Sequence, residues 1–129
     1  MIQRIQSIYF FLGAVALFVY AFLCDSNLLL FTENMILSFI PALASVFVAF
    51  FSLIIILLFK KRNFQTLLSS FLILLIIAII AFTVYYLGIK GFYLEWSFYL
   101  LPLALIFLFL GRKNVVKDEK LIRSVDRLR

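Results

Sequence analysis

Four apolar runs account for most of this chain, and short polar segments divide them. The runs cover Ser7–Leu23, Ile36–Phe59, Leu67–Leu87 and Tyr93–Leu110. A helix needs roughly 17–25 apolar residues to cross a hydrocarbon core about 30 Å thick, and each run meets that length. Only Glu95, at the outer end of the fourth run, places a charge inside one. The second run holds 17 Ile, Leu, Phe and Val residues, each favouring insertion by roughly 0.3 to 0.6 kcal/mol. That margin absorbs Pro41 and the serines at 38, 45 and 52. The first run has a second reading, a lipoprotein signal ending before Cys24. Leu23 argues against it, because signal cleavage needs a small side chain there.

Small residues recur at seven-residue intervals within the runs. The first has Ser7, Ala14 and Ala21, and the fourth has Ser97, Ala104 and Gly111. The third has Ala81 and Gly88, with Ala78 beside them. In the second, Ser38, Ser45 and Ser52 interleave with Ala42 and Ala49 to make the densest seam. Lipid tails remove the hydrophobic drive between helices, so close approach at small residues takes over. A seven-residue repeat is 3.5 per turn, which predicts left-handed crossing near about +20°. The second span is expected at the centre of the bundle. Its hydroxyls either bond across helices or return to their own carbonyls.

The connections add constraints. Lys60–Gln65 and Gly88–Phe92 are short, so spans two, three and four should be consecutive antiparallel neighbours. Cys24–Asn34 is longer and carries the apolar stretch Leu28–Phe31, expected to lie on the outer membrane interface. Pro41 stands near a span start and should do little, whereas Pro102 is expected to bend the fourth helix.

Charge sets an orientation. Eleven of the twelve Lys and Arg residues lie at the chain ends or in one loop: Arg4, Lys60-Lys61-Arg62, and seven from Arg112 to Arg129. Such segments stay on the cytoplasmic side, so both termini are expected inside. The inner side then also carries Asp118, Glu119 and Asp126, while the outer side carries Lys90 against Asp25, Glu33 and Glu95. Tyr20, Tyr85, Tyr86, Tyr93, Trp96 and Tyr99 all fall near outer span ends, where amphipathic rings anchor. The net charge of +6 is therefore read as topology plus attraction to anionic membrane lipid, with no nucleic-acid partner.

Composition narrows the chemistry. With 67% hydrophobic and 14% charged residues in 129, a water-soluble domain lacks the polar cover it needs. There is no His to relay protons or ligate metal, and one Cys cannot run disulfide exchange. No Gly-rich phosphate loop or Ser, base and acid set appears. Glu95 beside Trp96 reads as an interfacial anchor. The expectation is a protein that is not an enzyme, with no metal and no cofactor.

The segment after the fourth run has soluble character. On a helix, Val115, Leu121, Ile122, Val125 and Leu128 gather within an arc of about 140°. Glu119 and Arg123 are an attractive i,i+4 pair. A helix this short is marginal alone in water, so it needs a membrane leaflet, the Lys60–Gln65 loop or another protein to lie on.

The opening Met1-Ile2-Gln3-Arg4-Ile5-Gln6-Ser7 and the closing stretch from Lys117 to Arg129 resemble the domain-of-unknown-function 4293 family. That resemblance implies a small four-span protein of the bacterial inner membrane with no assigned activity. It brings no catalytic residues.

The expected architecture is an all-α membrane protein: an antiparallel, left-handed bundle of four transmembrane helices over residues 1–111. A basic cytoplasmic tail over 112–129 is expected to carry a short amphipathic helix. The expected role is an accessory or scaffold subunit of an inner-membrane complex, contacting other membrane or cytoplasmic proteins. Gln3, Arg4, Asp118, Glu119, Arg123, Asp126 and Arg127 are the candidate contact residues. The competing reading is a small oligomeric channel or transporter with the serine seam as its path.

Overall fold

A computed structural model describes residues 2–28, 35–58, 62–90 and 96–126. Helix α1 spans Ile2–Leu28, α2 spans Met35–Leu57, α3 spans Arg62–Lys90, and α4 spans Leu100–Asp126 behind a 3-10 turn at Trp96–Tyr99. No strand occurs among the described residues. All four helices are long and apolar enough to cross a membrane, which marks a multi-pass membrane protein.

The helices outrun the apolar segments. Helix α1 continues through Asp25 to Leu28, and α3 already begins at Arg62 and runs to Lys90. Loss of hydrophobicity ends a membrane span; it does not end the i→i−4 ladder, which continues wherever the backbone gains from it. Helix therefore takes up part of each expected connection, and residues 29–34, 59–61 and 91–95 lie outside the described set.

The helices form a ring. Among the described residues α1 packs on α2 and α4, α3 packs on the same two, and neither diagonal pair brings Cα atoms within 8 Å. The α1 pairings are the most extensive, so α1, and not the second span, is the best-packed helix. Its crossing with α4 is close. A Cβ on Gly111 would sit 3.1 Å from the Phe10 ring, and one on Gly13 would sit 3.2 Å from Leu108 Cδ2. The two pairs run in opposite senses, so α1 and α4 are antiparallel.

Each helix buries a stripe at alternating three- and four-residue steps. In α4 it is Leu101, Ala104, Leu108, Gly111 and Val115, led in by Ser97; in α3 it is Gln65, Ser69, Leu72, Ile76, Ile79 and Thr83. This 3.5-residue spacing is that of left-handed packing. The small residues expected to make the seam on the third span do not: Ala78 and Ala81 are exposed. Phe22, Leu43, Leu57, Leu67 and Leu74 face outward, as a surface solvated by lipid tails permits.

Two further expectations change. Pro102 is the third residue of α4, within the first turn, where the N–H it lacks has no intrahelical acceptor anyway. It gives no reason for a bend. Pro41 is the one set inside a helix. Tyr20 is no interfacial anchor either, being 1% exposed in the core, whereas Trp96 is 92% exposed.

Candidate functional site at the basic end of the bundle

Polar side chains inside the bundle gather toward the end where α1 and α3 start and α2 stops. Gln6, Ser52, Gln65 and Ser69 are all buried there. Most have local partners. Ser52 and Ser45 donate to the carbonyls of Ala49 and Ala42, both at 2.7 Å, and Ser69 donates to Thr66 at 2.9 Å. Gln65 Nε2 reaches the Ile55 carbonyl at 3.4 Å. That contact is long, and the carbonyl it reaches also accepts from the Leu58 backbone N–H at 3.2 Å near the end of α2. Two donor atoms have no partner among the described residues: Gln6 Nε2 and Arg112 Nε. A buried donor without an acceptor costs about 1–3 kcal/mol, so both sites call for one.

Helix α4 dominates this end. It passes Arg112 without interruption and reaches Asp126, so residues 112–126 continue the fourth span and form no separate amphipathic helix. Val115 is part of the core. At about 100° per residue, Arg112, Lys113, Lys117 and Lys120 share one flank with Phe109 and Val116. Together these six line a cleft of about 420 Å³. Leu121 and Ile122 are 46% and 42% exposed; by the same rotation Leu121 borders Lys117 and Ile122 continues the face of Gly111 and Val115.

The candidate contact residues are distributed unevenly. The antiparallel register set by Phe10 with Gly111 and by Gly13 with Leu108 brings the start of α1, with Gln3 and Arg4, level with residues 117–118 of α4. Asp118 and Glu119 are half-buried there, and each is already engaged within the chain. Arg123 and Asp126 extend past the start of α1 on the helical backbone, with side chains outside the described set, as is Arg127. Of the serine seam, Ala42, Ser45, Ala49 and Ser52 are buried within the protomer, and the Ser38 side chain is not described.

The basic cleft itself escaped sequence reading. The spacing 109, 113, 116, 120 is a helical stripe in plain view, but it crosses the boundary where hydrophobicity ends the span. A second cleft, about 400 Å³, opens between α2 and α3 where Ala44 and Ala78 leave room, walled by Pro41, Phe47 and Phe82. It offers no polar chemistry. Among the described residues no cluster of three His, Cys, Asp or Glu side chains converges.

The family model for a domain of unknown function, DUF4293, matches residues 2–128. The chain belongs to the DUF4293 family. The resemblance seen at the two ends of the sequence thus extends over nearly all of it. No curated protein and no solved structure matches the chain, so membership carries no activity with it.

Proposed function

We propose that this chain is a non-enzymatic accessory or scaffold subunit of a bacterial inner-membrane assembly, with both termini in the cytoplasm. It meets partner proteins through the far end of α4. The observation carrying this reading is the unbroken helix from Leu100 to Asp126 with Leu121 and Ile122 exposed beyond the core. Fifteen residues past Gly111 amount to about 22 Å of helix at 1.5 Å each. A purely topogenic tail has no need of such a rigid extension with apolar residues exposed in water. The bias of Lys and Arg to this end supports the orientation.

Truncation tests it. Residues 121–129 should be removed, and not the segment from 115, because Val115 is 1% exposed in the core. The shortened chain should insert and fold normally but lose co-purifying partners in mild detergent. An unchanged set of stoichiometric partners would count against the reading. The channel alternative gains no support from the serine seam, whose described residues are buried in one protomer with Ser45 and Ser52 bonded to their own helix.

A further inference from the structure

We propose that the basic flank of α4 is a binding site for the phosphate headgroup of an anionic phospholipid. Arg112, Lys113, Lys117 and Lys120 hold the headgroup, and Phe109 and Val116 receive the adjoining acyl chain. The inference rests on the membrane placement proposed above and adds a specific ligand to that end of the protein.

Depth argues first. Four residues of 3-10 helix and twelve of α4, from Trp96 through Gly111, rise about 26 Å. That is a few ångströms short of the roughly 30 Å hydrocarbon core. Arg112 and Lys113 therefore stand at the acyl–headgroup boundary, with Lys117 and Lys120 about 6–12 Å beyond them along the axis. The α1 register agrees, because Arg4 comes level with residue 117, one turn further out than Lys113. A soluble anion reaches this depth poorly, whereas a lipid phosphate resides there.

Shape and chemistry argue next. Four cations line one concave surface of about 420 Å³ whose membrane-side wall is the half-exposed Phe109 ring. Four cations this close repel one another unless an anion lies between them. Arg112 Nε is buried and has no acceptor among the described residues, and guanidinium N–H groups match phosphate oxygens well. Basic pockets on the cytoplasmic side of membrane helices take anionic headgroups by this chemistry. An acidic protein segment would satisfy the charges but not the apolar wall at membrane depth.

The test uses the full-length chain reconstituted in phosphatidylcholine vesicles with and without phosphatidylglycerol, with retained lipid counted by native mass spectrometry. The variant Lys113→Gln/Lys117→Gln/Lys120→Gln changes exposed side chains and leaves the core intact. A control, Lys61→Gln/Arg127→Gln/Arg129→Gln, removes the same charge elsewhere on that side. The wild type and the control should prefer phosphatidylglycerol, and the cleft variant should lose that preference by about tenfold or more. Equal loss in both variants, or no preference in the wild type, overturns the site. Inorganic phosphate competing as well as lipid would also overturn it, by making the site one for a free anion. Labelling of Ser124→Cys in a Cys24→Ser background reads sidedness separately, so a wrong orientation and a wrong ligand give different results.

Discussion

Where Gly111 meets Phe10, the two best-packed helices come as near as backbone allows. The ring is fully buried and three of its atoms lie 3.1–3.3 Å from where a Cβ would be, so it has nowhere to retreat. Gly111→Val should destabilise the bundle by about 1–3 kcal/mol through overpacking. Phe10→Ala should cost about 3–5 kcal/mol by opening a cavity. Combined, the two should cost less than their sum, because the new side chain occupies part of that cavity; a double-mutant cycle in detergent unfolding measures it. Ser45 and Ser52 make the opposite case. Among the described residues their hydroxyls bond carbonyls three residues back, so alanine at either position should change stability by under about 1 kcal/mol. A loss of several kcal/mol in the same unfolding assay would show that the seam hydroxyls bond between helices.

At the scale of elements, helix α4 joins a membrane span to a protruding arm without a hinge. Asn114→Pro would remove one ladder hydrogen bond and clash with the preceding turn, at about 3 kcal/mol, just where span becomes arm. The chain should still insert, and partner recovery should fall as it does on truncation; full recovery would mean that rigidity of the arm is irrelevant. This continuity was hidden in the sequence. Run lengths locate spans because transfer to lipid depends on hydrophobicity, yet α1, α3 and α4 all continue into polar sequence that only backbone hydrogen bonding explains. Which face a helix buries was also hard to read, since lipid-facing positions are as apolar as core ones. The heptads of the first, second and fourth spans do mark buried faces at Ala14, Ser45 and Ala104, while those at Ala78 and Ala81 do not. Nothing in composition separates the two cases. The basic stripe was legible in principle, from its helical spacing alone.

For the whole molecule, an even number of spans brings both chain ends to one end of the ring, together with the start of α3. A membrane-impermeant thiol reagent applied to intact cells should label Cys24 and spare Ser124→Cys made in the Cys24→Ser background. The converse pattern would invert the orientation. The ring also separates two kinds of contact around α4. The proposed lipid cleft runs along Arg112 to Lys120, while Ile122 extends the buried face of α4 beyond the core.

Photocrosslinking in native membranes tests the central claim most directly, with a photoreactive residue placed in turn at Leu121, Ile122 and, as a lipid-facing control, Leu74. The account predicts a discrete protein adduct of one defined mass from positions 121 and 122 that position 74 does not give. Recovery of only lipid adducts and uncrosslinked monomer from all three positions would contradict it.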